Sequence, residues 1–312
     1  MPVTLRTKLP HHRAISPRLG VPVAIFNTRS RTVDGLCLLV PDEQAVDLIN
    51  GVLARAQQKF PWFDLYGYFA LPNELQLLMG VPGLREKSRV LAWVIREIAK
   101  RINRLRRRSG PLFTRNQAIQ VTTLEFAVDR MRSIMGQGTA RLLSRHPGDD
   151  VSACANPTLL QGRPIEGTFV RPNGQRARLR VRLDRLPGLG DLSPRAYRAL
   201  MTELADSVAA EHRPRRKKAG LPVPDPEAVR RRDPNSRLGE STERATPLVY
   251  GPPEHIDEWR AHHAEVRAAY TTSSLAFQAW QADPTLPMLP WPPNTLPPAF
   301  AQRSLRPRPD SS

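Results

Sequence analysis

Proline is the residue that most limits how this chain can fold, because 32 of its 312 residues are prolines. Proline lacks a backbone N–H and fixes φ, so helix interiors and central strands tolerate it poorly. Its frequency here is about twice the usual 5%. The prolines cannot all lie in helices and strands, so much of the C-terminal half is predicted to be loop.

The N-terminal half has the apolar patterning of a small α+β domain. Its predicted elements are a strand at 21–28, a helix that opens at 41–43 and ends near residue 60, strands at 62–71 and 74–81, a helix at 85–108, a short apolar run at 118–121 and a helix from 123 to about 135. A tight Pro72-Asn73 turn joins the two central strands. This order predicts a small antiparallel sheet with helices packed on one face.

Changes in composition predict a mainly helical, Pro-rich extension after this core. The predicted parts are a basic N-terminal arm at 1–19, the core domain at 20–140, a linker at 141–175, an accessory region at 176–283 and a Pro-rich tail at 284–312. Within the accessory region, we expect a helix from Ser193-Pro194 to about His212 and a second over 253–281. The basic segment Arg213–Lys218 between them is predicted to be unstructured.

The charge of the chain points to a polyanionic partner. Lys and Arg number 47 against 29 Asp and Glu, which gives a formal net charge of +18. Such an excess favours binding to nucleic acid, and an anionic membrane surface is the alternative. No stretch approaches the roughly 18 apolar residues needed to span a bilayer, and the N-terminus lacks the apolar region of a signal peptide. We therefore expect a soluble, cytoplasmic protein that does not enter the membrane.

The two cysteines, Cys37 and Cys154, lie far apart and outside any zinc-ligand spacing. No phosphate-binding loop, dinucleotide fingerprint or Ser/His/Asp arrangement is present in the sequence. Neither a structural zinc site nor a disulfide framework is therefore predicted.

The segment at 67–79, GYFALPNELQLLM, resembles the core motif of REP-associated tyrosine transposases, which belong to the HUH single-tyrosine transposase superfamily. In that family, two histidines flank one hydrophobic residue after the Pro-Asn turn, and Glu74 and Gln76 occupy those positions here. The segment at 99–113 is similar to the family's helix end and following turn. The resemblance places the nucleophilic tyrosine on this helix, where Ile98 and Arg101 align with it.

The resemblance implies a ferredoxin-like or RRM-like HUH core, single-stranded or hairpin DNA as partner, and often a homodimer. Shorter motifs at 183–187, 192–200, 270–280 and 297–300 are similar to the accessory half of some transposase relatives. Because both the histidine pair and the tyrosine are replaced, the catalytic motifs are degenerate. We therefore expect no strand cleavage.

Residues i and i+2 of a strand point to the same face, so Glu74 and Gln76 could offer oxygen ligands to Mg²⁺ or Mn²⁺. The alternative is a solvated strand face, because one carboxylate without a second acid makes a weak metal site. No other cofactor is expected. Tyr66 and Tyr68 on the preceding strand are interpreted as packing residues rather than replacement nucleophiles.

Basic residues concentrated on the long helix and one later strand are the predicted DNA contacts, because guanidinium groups match phosphates. The predicted contacts are Arg96, Lys100, Arg101, Arg104, Arg106, Arg107, Arg108, Arg178 and Arg180. A solvated helix face and a charged strand edge that prevents aggregation are the alternative interpretations.

Three functions remain open on the sequence. The first is a transposase-like protein that binds single-stranded or hairpin DNA without cutting it. The second is an active metal-dependent transposase or nuclease that uses substituted ligands. The third is a basic scaffold that binds another protein through the aromatic helix and the Pro-rich tail. Metal-dependent nicking and salt-insensitive partner binding separate the second and third from the first.

Overall fold

The computed structural model describes residues 9, 12–114, 116–171, 173–220, 225–237, 249–293 and 295. The chain divides into two compact units, one of residues 12–247 and the other of residues 1–11 with 248–312. The predicted N-terminal arm up to residue 8 and the motif at 297–300 lie outside the described residues. Each unit is considered by itself.

The first unit is built on an antiparallel sheet. Its strands are β1 (Ala14–Ile15), β2 (Pro22–Arg31), β3 (Asp64–Leu71), β4 (Glu74–Val81) and β5 (Gln117–Val121). The order is β3-β4-β2-β5, and β1 pairs with the beginning of β2. With α1 (Glu43–Lys59) between β2 and β3, and α2 (Leu84–Leu105) between β4 and β5, this is the ferredoxin-like β-α-β-β-α-β arrangement.

Helices cover both faces of this sheet, which is why every residue of β3 and β4 is buried. On β3, the Tyr68 hydroxyl reaches Asn50 of α1 at 2.9 Å, while a side chain at Gly67 would strike Met131 of α3 (Leu124–Met135). Adjacent strand residues point to opposite faces. Helices α1 and α2 therefore lie on one face, as expected, and α3 packs on the other.

The local sequence explains where these helices begin and which side they bury. Asp42 caps α1 by accepting a hydrogen bond from Ala45 N, and Thr123 caps α3 in the same way. Helix α2 buries a stripe of apolar residues at a spacing of four, which comprises Val90, Val94, Ile98 and Ile102. The apolar periodicity that predicted α1 and α2 is observed.

A hairpin of β6 (Ile165–Val170) and β7 (Arg176–Val181) packs on α1. The contact depends on two glycines, because a Cβ on Gly51 would lie 2.2 Å from the Thr168 carbonyl oxygen and one on Gly167 would lie 2.1 Å from Gly51 N. Residues 141–175 were predicted to be a linker. The structure instead places α5 (Asn156–Gln161) and β6 there, inside the first compact unit.

The basic segment after His212 is helical, contrary to the expectation of an unstructured linker. Helix α6 runs over Pro194–Ala219 and begins at Ser193, whose side chain accepts a hydrogen bond from Ala196 N. Arg215 donates to Ala140 O, and Arg216 donates to Ser144 O and Arg145 O. These bonds join the part of the helix after Pro214 to residues 140–145. The helices α4 (Gln137–Ala140) and α7 (Pro226–Arg230) are short.

The second unit contains the long helix α8 (Pro253–Ala282) and the short strand β8 (Val249–Tyr250). The chain that follows α8 folds back on it, because Trp291 lies against Tyr270 and Phe277, and the Ser273 hydroxyl donates to Pro290 O at 2.8 Å. This part of the Pro-rich tail packs on its own helix.

The predicted fold class is confirmed: a small antiparallel sheet packs with helices and is followed by a mainly helical C-terminal segment. Within the described part of the chain, no helix is both long enough and apolar enough to cross a bilayer.

Candidate nucleic-acid interface

Glu74 and Gln76 lie side by side on β4, as predicted, but their polar atoms already have protein partners. Gln76 Nε2 donates to Glu74 Oε1 at 2.5 Å. The other oxygen, Oε2, lies 2.5 Å from Arg29 Nε and 3.2 Å from Arg31 Nε. Both arginines are on the neighbouring strand β2, in register with Gln76 and Glu74. The carboxylate therefore joins two strands through two guanidinium groups.

This arrangement does not fit a divalent cation. A metal ion at Glu74 would sit beside two guanidinium charges, and the single carboxylate already shares both of its oxygens. Hard cations such as Mg²⁺ need several oxygen ligands. No cluster of three or more His, Cys, Asp or Glu placed to hold a metal occurs in the described ranges. We derive no chemical step through a metal at this position.

The positions aligned with the family's tyrosine lie on the other side of the sheet from this pair. Glu74 and Gln76 share the sheet face that α3 covers, whereas Ile98 and Arg101 belong to α2 on the opposite face. The helix that covers the sheet face of Glu74 is α3, and it contains no tyrosine. The motif spacing could not reveal this, because it does not tell which face a helix covers.

Tyr66 and Tyr68 are both fully buried, which supports their interpretation as packing residues. Burial and the nearby Asp64 carboxylate raise the pKa of Tyr66 well above its ordinary value. The Tyr66 hydroxyl lies beside Gly80, six residues along β4 from Glu74, or about 20 Å at the usual rise of a strand. Burial likewise raises the pKa of Tyr68, whose hydroxyl faces α1.

Two of the arginines predicted to contact DNA are engaged in holding the fold. The Arg101 side chain is 10% exposed, pairs with Glu97 at 2.5 Å and donates to Val170 O at 2.7 Å, with its guanidinium over the Phe169 ring. Arg106 is 13% exposed, pairs with Asp42 and donates to two carbonyl oxygens of the loop before α1. Neither guanidinium is presented to solvent as a helix-face pattern would suggest.

Two further arginines of the predicted set are partly engaged. Arg108 donates to Asn103 Oδ1 and to Pro111 O, which closes the turn after α2. On β7, Arg178 pairs with Asp47 and Glu166. These acids reduce the positive charge of that part of the strand. Arg180, opposite Glu166 in the hairpin, is exposed.

The remaining cations form one continuous exposed row. Arg96, Lys100 and Arg104 are exposed on α2 at a spacing of four, which places them on one helix face. Lys100 and Arg104 make no ion pair with any residue that the structure describes. Arg107, just beyond the helix, is also exposed.

A cavity of about 110 Å³ lies where this helix face meets the β6–β7 hairpin. Its lining residues are Glu97, Lys100, Arg101, Arg104, Val170 and Arg171. Arg171 was not among the predicted contacts, because its segment was interpreted as a linker. The alternating basic and apolar residues at 176–183 predicted one strand, and the turn signal Asn173-Gly174 before it could have revealed the hairpin. We call the exposed cations around the cavity the α2–hairpin surface: Arg96, Lys100, Arg104, Arg171 and Arg176.

The fold and this surface together define an α+β protein with a ferredoxin-like core and a cationic cavity where α2 meets the β6–β7 hairpin. No protein-family model matches the chain, and no curated protein matches it. Among solved structures, it is similar to a REP-associated tyrosine transposase bound to a REP hairpin, with 12% identity and a TM-score of 0.35 over 48% of this chain and 80% of that chain. A similarity at this level defines no family membership.

Proposed function

We propose that this protein binds single-stranded or hairpin DNA through the α2–hairpin surface and does not cleave it. The observation that carries the proposal is the row of exposed cations on α2 that continues onto the hairpin around a cavity. Phosphate contacts supply most sequence-independent binding to nucleic acid. The net charge of +18 favours the same class of partner, and the motif resemblance at 67–79 favours hairpin DNA.

The absence of cleavage is proposed from the groups around Glu74. Arg29 and Arg31 neutralise the carboxylate of Glu74, which was considered as a metal ligand, and both tyrosines of β3 are buried. An exposed ionisable hydroxyl beside a metal is what covalent attack on a phosphodiester requires. An active nuclease with substituted ligands is therefore the less favoured proposal.

Fluorescence anisotropy with labelled hairpin and linear single-stranded DNA tests the proposal, at two salt concentrations, with and without Mn²⁺. A denaturing gel of the same samples scores cleavage. We expect binding that weakens steeply with salt and no cleaved product. Cleavage that depends on Mn²⁺ would overturn the non-cleaving part, and no binding to either DNA would overturn the whole proposal.

A pair of double variants tests whether the DNA contacts lie on α2. Removing two exposed cations in Arg96→Gln/Arg104→Gln is expected to reduce the salt slope by about 1.4, since each phosphate contact to a single strand contributes about 0.7. The matched control Arg195→Gln/Arg213→Gln removes the same charge from exposed positions of α6. Arg101→Gln is expected to lower stability, because Arg101 bridges α2 and β6. Equal binding losses in the two double variants would contradict this assignment.

A protein partner is a second candidate function, carried by apolar side chains exposed in the second unit. Leu275 of α8 is 60% exposed, and Leu286, Met288 and Leu289 after the helix are also exposed. Exposed apolar patches often mark protein interfaces. A second copy of the chain is one such partner. Light scattering of the wild type and of Leu275→Glu/Leu289→Glu tests self-association. A monomeric wild type would contradict the proposal of a homodimer.

A further inference from the structure

We infer that the cavity between α2 and the β6–β7 hairpin is a binding site for one phosphoryl group. This inference deepens the proposed function and rests on it, because it names the chemical group that the α2–hairpin surface recognises. The group is a phosphate of a nucleic-acid backbone, of a strand end, or free in solution. The tests below separate these sources.

The charge of the lining is the first argument. Four cations, Lys100, Arg101, Arg104 and Arg171, surround the cavity with one acid, Glu97, which leaves a net charge of +3. Glu97 is already paired with Arg101 at 2.5 Å. Three of the cations are exposed on the rim and so can approach a ligand. Convergent Lys and Arg side chains with little opposing charge are the usual protein ligands of a phosphate.

The size of the cavity is the second argument. About 110 Å³ is the liquid volume of about four waters, which leaves room for one tetrahedral phosphoryl group. Pockets for drug-sized molecules are several times larger, at about 300–1,000 Å³. A small charged group therefore fits here better than a cofactor or an apolar ligand.

The rigidity of the cavity is the third argument. Arg101 holds its two sides together, since it pairs with Glu97 on α2 and donates to Val170 O on β6. Phe169 supports this contact because it lies under the Arg101 guanidinium and stacks on Trp93 of α2. The buried Nε–H of Arg101 has no acceptor among the described residues. Such a donor adds positive potential that an anion would compensate.

Binding of inorganic phosphate to the full-length chain tests the site directly by ³¹P NMR line broadening, with chloride added to keep the ionic strength constant. We expect saturable broadening for the wild type. In Lys100→Gln/Arg171→Gln, affinity should fall about tenfold, since two contacts are lost from exposed cations, which solvent screens. The control Arg195→Gln/Arg213→Gln should bind as the wild type does. Broadening that does not saturate, or that is equal in the two variants, would overturn the inference.

DNA titrations with the same proteins identify the source of the phosphate. If the wild type binds a 5′-phosphorylated oligonucleotide more tightly than its 5′-hydroxyl form, and Lys100→Gln/Arg171→Gln loses this preference, the bound group is the phosphate of a strand end. Equal binding of both forms, weakened in that variant more than in the control, identifies a backbone phosphate. If the wild type binds phosphate but no DNA, the DNA function fails and the site stands as one for free phosphate. If the wild type binds DNA but not phosphate, the phosphate site is overturned and the proposed DNA function stands.

Discussion

At the scale of single residues, the same type of residue has different roles depending on its burial and its neighbours. Arg101 and Arg104 are three positions apart on α2, yet Arg101 bridges two elements while Arg104 is exposed beside a cavity. In the same way, Glu74 occupies a position where the motif implies a metal ligand, but it pairs with Arg29 and Arg31. The role of a charged residue here follows from its neighbours rather than from its type.

The Glu74 ion pairs give the first prediction. Glu74→Gln leaves Arg29 and Arg31 without their carboxylate, and removing one partner of a buried pair is strongly destabilising. We expect the free energy of unfolding to fall by about 3 kcal/mol in urea titrations, at the lower end for such pairs because Arg31 is 43% exposed. The control Glu203→Gln, exposed on α6, should change little.

Added Mn²⁺ distinguishes this role from metal binding. If Glu74 is a structural partner of arginines, Mn²⁺ should leave the thermal midpoint of the wild type unchanged. A midpoint that rises with Mn²⁺ in the wild type but not in Glu74→Gln would show a metal ion at this position and contradict our interpretation.

Asp150 gives a prediction about pH. Burial raises the pKa of its carboxyl from 3.8 to about 8, although a hydrogen bond from Asn156 acts in the opposite direction. Between these two values, the folded state binds the proton more tightly than the unfolded state does. The stability that Asp150 contributes is therefore fully present below about pH 4 and is lost as pH rises to about 8.

Asp150→Asn removes this titration while keeping the shape of the side chain. Urea titrations from pH 4 to 8 should show that the variant gains stability relative to the wild type as pH rises. Asp149→Asn should show a smaller trend of the same sign, because the Asp149 charge contributes to the raised pKa of Asp150. A difference between Asp150→Asn and the wild type that is constant with pH would contradict the raised pKa.

At the scale of elements, the structure depends on a close contact that apolar periodicity does not reveal. Helix α1 and strand β6 approach through Gly51 and Gly167, where backbone meets backbone. This approach carries the hairpin to the side of α2, since the β6 residue Phe169 stacks on Trp93. Without it, Arg171 would not reach the cavity beside Lys100.

Substitution of Gly51 tests this contact. In Gly51→Ala, the new Cβ would lie 2.2 Å from the Thr168 carbonyl oxygen, so α1 or β6 must move. We expect a loss of about 2 kcal/mol in the free energy of unfolding, because overpacking typically costs 1–3 kcal/mol. In the control Gly83→Ala, the new Cβ meets only the end of the flexible Glu86 side chain. Equal stability of the two variants would contradict the role of Gly51.

At the scale of the whole molecule, the cations proposed to bind DNA all belong to the first compact unit. That unit spans residues 12–247 and contains the sheet, the hairpin and α6. We expect a fragment of residues 12–247 to unfold in one cooperative transition, measured by circular dichroism, and to bind DNA with the salt dependence of the whole chain. A fragment that is unfolded, or that is folded but does not bind, would show that the second unit is required.

Much of the fold could be predicted from the sequence because its signals are local. The apolar spacing of α2, the start of α1 at 41–43 and the Pro72-Asn73 turn each depend on a few neighbouring residues. These signals were sufficient for the order of elements and hence for the antiparallel sheet. The same reasoning predicted the strand that begins at Arg176 but missed β6, because the prolines and glycines before it suggested a linker, and it ended α6 too early.

The sequence by itself determined the net charge, the class of fold and the replacement of the histidine pair by Glu74 and Gln76. Only the tertiary structure decided which cations are exposed, that Glu74 pairs with Arg29 and Arg31, and that α2 and Glu74 lie on opposite faces of the sheet. The physical reason is that helix periodicity and strand alternation act along the chain, whereas ion pairs and cavities depend on contacts between residues distant in sequence. Arg171 and Lys100, 71 positions apart, meet only because two glycines let the hairpin pack on α1.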